Sequence, residues 1–139
     1  MDLVIKNEYP PNYKTLEQVF QLRTGNLYPH NPILYNPSGI EIPPDILYHE
    51  KIHFEQQGDN PDKWWNNYIS SKEFRLEQEL EAYSKQLEWI KERYPNKAVK
   101  EALDEMANNL SSIYNLDLTQ EQAKCRIRKY KDTEQLTNN

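Results

Sequence analysis

The chain has 139 residues, 37% of them hydrophobic and 28% charged, and a net charge of −5. That is room for one domain; the acidic balance excludes a basic surface for phosphate contacts, so no nucleic-acid partner is expected, and no apolar run reaches the ~18 residues of a membrane span. One cysteine, Cys125, and three glycines exclude a disulfide framework, a cysteine-built zinc cluster and Gly-rich phosphate loops.

The first six residues lack a basic head before a long apolar stretch, so no signal peptide is expected. A reducing compartment follows: the cytoplasm, or a virion if the gene belongs to a phage. Residues 3–5 form a short strand candidate, broken by Tyr9-Pro10-Pro11-Asn12. Residues 16–22 have apolar positions at helical spacing, at Leu16, Val19, Phe20 and Leu22. Between residues 25 and 44 the prolines forbid a helix. There, residues 33–35 and 40–42 flank Asn36-Pro37-Ser38-Gly39, which predicts an edge hairpin.

Residues 45–57 contain no Pro or Gly and stop at Gly58, a helix signature. Asp59-Asn60-Pro61 turns the chain into a short helix over 62–69 carrying Trp64, Trp65 and Tyr68; the two tryptophans read mainly as core. Ser70 with Glu73 predicts a capping box for a long helix over 71–94, ended by Pro95. A helix over 97–114 follows, and Thr119 with Gln122 opens the last one. In it Cys125 reads as a small buried residue, and Arg126, Arg128, Lys129 and Lys131 as a solvated basic end. Residues 131–139 are a polar tail expected to fray. The expectation is a single α+β domain over 1–130, mainly helical, with a small N-terminal β element.

Two of the three histidines lie in His49-Glu50-Lys51-Ile52-His53, an HExxH motif in the helix over 45–57. Residues four apart share a helix face, about 5–6 Å apart at Cβ. Two imidazoles there converge on one ion, each about 2.0–2.1 Å from zinc. Glu50 projects beside the metal and is placed to take a proton from a zinc-bound water. The alternative is two histidines packed on a helix face with no metal between them.

A hydrolytic zinc site needs a third protein ligand and an open position. The extended HExxHxxGxxH form is excluded, because Gln56 and Asp59 stand where its Gly and third His belong. His30 is one candidate; a carboxylate from the 71–94 helix is the other. Glu79 shares its face with Leu76, Ala82, Tyr83 and Gln86, whereas Glu77 and Glu81 lie on a charged face where Lys85 pairs with Glu81. Glu79 is therefore the expected ligand and Glu81 an ordinary surface charge. Gln56 or Gln57, following His53, could touch the site or merely end the helix.

His49-Glu50-Lys51-Ile52-His53 with Glu79-Leu80-Glu81-Ala82-Tyr83 resembles the gluzincin zinc metallopeptidases, in particular minimal gluzincins and short metallopeptidase-like proteins of bacteriophage genomes. The Trp-rich connector Trp64-Trp65-Asn66-Asn67-Tyr68 adds to the likeness, which spans residues 33–90. The resemblance implies zinc held by His49, His53 and Glu79, with Glu50 as general base. It implies a peptide or protein substrate laid along the edge hairpin of residues 33–42. Many gluzincins place Asp four residues after the ligand Glu. Tyr83 stands there instead, as a catalytic or histidine-orienting candidate or a core residue. The expected function is peptide-bond hydrolysis through a Glu-activated, zinc-bound water. The rival expectation is a zinc-stabilised structural or interaction module without turnover, such as a virion component with a phage or host protein partner.

Overall fold

The structure is a computed structural model that describes residues 3–130. The tail expected over 131–139, with Lys131, lies outside the described residues. Among the described residues, six helices and one three-stranded sheet make a single, mainly helical α+β domain. The elements are β1 (Val4–Lys6), α1 (Tyr13–Val19), β2 (Tyr28–His30), β3 (Ile33–Tyr35), α2 (Pro44–Gln57), α3 (Pro61–Ser70), α4 (Lys72–Lys91), α5 (Asn96–Ser112) and α6 (Gln120–Lys129).

Proline and glycine set most helix boundaries. Pro44 and Pro61 sit in the first turns of α2 and α3, where a missing N–H costs nothing. Gly58 ends α2 at φ 57, a backbone region that favours glycine. The Thr119–Gln122 capping box of α6 forms as expected, and Arg126, Arg128 and Lys129 lie in its last turn. The α4 cap falls one residue later than expected. Ser71, not Ser70, accepts from the Phe74 N–H, because Ser70 is still the last residue of α3, its hydroxyl donating back to the Asn66 carbonyl. Cys125 is only half-buried; its neighbours Ala123 and Ile127 face the core instead.

The sheet departs from expectation. Its order is β1-β3-β2, so β3 is the central strand, parallel to β1 and antiparallel to β2. The hairpin turns at Asn31–Pro32, between His30 and Ile33, and residues 40–42 form no strand. Asn36-Pro37-Ser38-Gly39 closes a local turn, in which the Asn36 amide donates to the Ile40 carbonyl. Two apolar clusters hold the domain together. One joins Leu16, Tyr28 and Tyr35 to Trp64, Trp65 and Tyr68 of α3. The other joins α4 to α5 and α6 through Leu80, Leu87, Leu103, Met106, Leu110 and Ile127. Helix α4 thus belongs to both halves, and α2 packs along its remaining side. No helix among the described residues is long and apolar enough to cross a membrane.

Candidate metal centre

Helix α2 turns His49, Glu50 and His53 inward, and all three are buried, with donor atoms within 4.8 Å of one another. Helix α4 brings Glu79, 2% exposed, against them from the opposite side. The Nε2 atoms of His49 and His53 are 3.1 Å apart. The Glu79 carboxylate lies 3.2 Å from His49 Nε2 and 3.3 Å from His53 Nε2. A tetrahedral ion with donors at about 2.0–2.1 Å holds them about 3.3 Å from one another. The separations between the imidazoles, and between each imidazole and the Glu79 oxygen it faces, are therefore of the size a tetrahedral ion sets.

Hydrogen bonding argues in the same direction. His49 Nδ1 lies 2.9 Å from Gln86 Oε1, and His53 Nδ1 lies 2.8 Å from Gln56 Oε1. An acceptor oxygen on each Nδ1 assigns the ring proton there and leaves the Nε2 lone pairs facing each other and the Glu79 carboxylate. Three lone-pair donors at such separations repel unless a cation or a proton lies among them. Glu79 Oε1 is moreover buried without a hydrogen-bond partner. Burial alone would lower the His53 imidazole, but the adjacent Glu79 carboxylate carries it up to about 9. Burial alone would raise Glu79; His53 and His49 hold it well below the usual carboxylate range instead.

Glu50 completes the group. Burial pushes its carboxyl above the ordinary value, the two imidazoles partly oppose this, and Glu79 adds to it. Its Oε2 is buried without a partner. A cleft of about 240 Å³ opens beside it. The cleft runs between the α1–β2 connection (Phe20, Leu22, Asn26) and α5 (Met106, Asn109), with Tyr68, Tyr83 and Tyr114 also on its wall.

His30 is paired with Asp62 at 2.9 Å rather than with this group. Tyr83 lays its ring against His49, centroids 4.5 Å apart, but its hydroxyl is bonded to the Tyr114 hydroxyl at 2.7 Å, not to an imidazole nitrogen. Glu81 is no ordinary surface charge: besides Lys85 at 3.4 Å it accepts from the Gln56 amide at 2.8 Å. Trp64 and Trp65 are core, as expected, and both reach the site's frame. Trp64 packs on His53, and Trp65 donates to the Pro29 carbonyl. Gln57 also donates to that carbonyl and accepts from the Asn31 N–H, fastening the sheet to α2.

Three supporting groups escaped the sequence reading. Tyr68 donates to Glu79 Oε2. Its phenol is held well above the ordinary value by burial and the Glu79 charge, so it stays a donor. Asp45 accepts from the Gln86 amide at 2.8 Å. Arg75, 2% exposed, donates to the carbonyls of Tyr68, Tyr114 and Asn115 and pins α3 and the segment after α5 to α4. Helical spacing carried a signal for Asp45, four residues before His49, and Gln86, seven after Glu79. None existed for Tyr68, whose approach depends on the α3–α4 angle.

The expected substrate rail is corrected. Residues 33–35 are the middle strand, with both ladders already occupied. The sheet edge nearer the site is β2. At its centre Pro29 has no N–H, and its carbonyl is taken by Gln57 and Trp65. A peptide cannot add there as a further strand.

No protein-family model matches the chain, no curated protein matches it and no solved structure matches its fold.

Proposed function

We propose that the protein is a zinc-dependent metallopeptidase of gluzincin type, with His49, His53 and Glu79 as metal ligands and Glu50 as general base. The observation that carries this reading is the convergence of two Nε2 lone pairs and the two oxygens of the Glu79 carboxylate at 3.1–3.3 Å, one of those oxygens orphaned, with a second buried carboxyl beside them at a cleft. Bound zinc supplies a Lewis acid that polarises a carbonyl and acidifies water.

The chain's own groups do the rest. Glu50, its proton affinity raised by burial, takes a proton from the attacking water and returns it to the leaving amine. Tyr68 holds the Glu79 carboxylate in place. The Tyr83–Tyr114 hydroxyl pair supplies the O–H donor on the cleft wall for a developing oxyanion. With β2 closed, the substrate is an extended peptide lying along the cleft between the α1–β2 connection and α5.

A second reading is a zinc-clamped interaction module without turnover, and the closed β2 edge favours it. Glu50 separates the two, since metal binding by His49, His53 and Glu79 has no need of a second buried carboxyl. The test is digestion of a peptide library by zinc-loaded wild type and Glu50→Gln. The metallopeptidase reading predicts cleavage by the wild type and a loss of about 10²–10⁴-fold in the variant, with zinc retained. A loaded wild type that cleaves nothing leaves the clamped module standing.

A further inference from the structure

Gln86 and Gln56 come from different helices and treat their histidines alike. The two ends of an amide are alike in shape, so its neighbours decide how it lies. The Asp45 carboxylate only accepts; it takes the Gln86 NH₂ at 2.8 Å and turns the carbonyl oxygen toward His49, at 2.9 Å. The Gln78 backbone carbonyl at 3.0 Å and the Glu81 carboxylate at 2.8 Å take the Gln56 NH₂ and turn its oxygen toward His53, also at 2.8 Å. Each oxygen calls for a proton on Nδ1, which leaves Nε2 as the donor atom. The middle residue must accept from an imidazole and donate to a carboxylate, which an amide does without itself titrating. A carboxylate directly against the ring is a common arrangement at metal sites; here each carboxylate stands one residue further back.

We propose that Asp45–Gln86 and Glu81–Gln56 are a matched pair of positioning relays that hold both imidazoles in the Nδ1–H form and so preset the two Nε2 atoms for a divalent cation. The proposal rests on the metal-site reading above.

The test combines zinc affinity, by chelator competition, with ring-nitrogen NMR of the zinc-loaded full chain, whose three histidines make assignment simple. Wild type should show Nδ1–H on His49 and His53. Gln86→Leu should weaken zinc by about 10–100-fold and expose the His49 Nδ1 proton to exchange. Gln86→Glu alone sets two carboxylates face to face and should also weaken it. Adding Asp45→Asn to Gln86→Glu exchanges acid and amide while keeping every hydrogen bond. That double variant should bind zinc at least as tightly as wild type, because a carboxylate directly on Nδ1 raises the basicity of the ring. Zinc uptake unchanged in Gln86→Leu, or no rescue in the double variant, overturns the relays alone. A wild type that takes up no zinc overturns the metal reading and the relays with it.

Discussion

Helix α4 divides the molecule into two halves built on opposite terms. Toward α5 and α6 it buries Leu80, Leu87 and Ile90 against Leu103, Met106, Leu110 and Ile127. Toward α2 and α3 it buries Arg75, Glu79 and Gln86, opposite His49, Glu50 and His53. Among the described residues, no buried polar or charged side chain lies in α5 or α6. The apolar half is held mainly by burial, at roughly 25 cal/mol per Å² removed from water. The polar half has to recover a desolvation cost of about 1–3 kcal/mol for each group left unpaired. In it the Glu50 Oε2 and Glu79 Oε1 atoms are buried without a hydrogen-bond partner. Apolar burial is thus concentrated on one side of α4, and buried polar and titratable groups on the other. Each half is breakable by a change that spares the other.

The largest effect is expected at Glu79. Glu79→Gln keeps the volume but removes the anionic donor, so zinc affinity measured by competition should fall by more than the roughly 10–100-fold of a change one shell out. Glu77→Gln, two residues away on the other face, should leave it unmoved. Equal losses in the two variants would place the third ligand elsewhere.

Leu110, fully buried in the apolar half, tests the other side. Leu110→Ala should cost about 2–5 kcal/mol in denaturant unfolding, through lost burial and the cavity left behind. Zinc affinity should stay at the wild-type value. A drop in affinity of the same size would mean that the two halves are not separable across α4.

The smallest effect belongs to a helix end remote from the metal centre. Thr119→Ala removes the side-chain acceptor for the Gln122 N–H and breaks the capping box of α6. It should cost about 0.5–2 kcal/mol of stability and nothing in metal uptake, read by melting and by competition.

Particular residues explain what could be read from the sequence. Pro44, Gly58, Pro61, Pro95 and Thr119 act locally, on backbone donors and φ, so α2, α3, α5 and the start of α6 were legible to within a residue or two. The site was legible because its parts lie on two helix faces: the i, i+4 spacing of His49 and His53, and the uncharged neighbours of Glu79. The sheet was not. Each strand has three residues, too few for an alternation to show, and β1 pairs with β3 across about thirty residues of chain. The Asn36–Gly39 segment has the chemistry of a hairpin turn, yet residues 40–42 find no strand to pair with. Glu81 was misread for a related reason. Its i,i+4 partner Lys85 was visible on its own helix, but Gln56 reaches it from α2. The Tyr83 hydroxyl likewise was drawn to Tyr114, a residue from beyond α5 whose proximity only the tertiary structure reveals.

The central claim is that the triangle of His49, His53 and Glu79 holds a metal ion. The most direct measurement is equilibrium dialysis of the wild-type chain against zinc, with metal analysis and a melting curve on the same sample. The account predicts about one zinc per chain and a stabilisation near 2.7 kcal/mol when free zinc is about 100 times the dissociation constant, reversed by a chelator. A chain that retains no zinc after dialysis, and melts identically with and without it, would contradict the account.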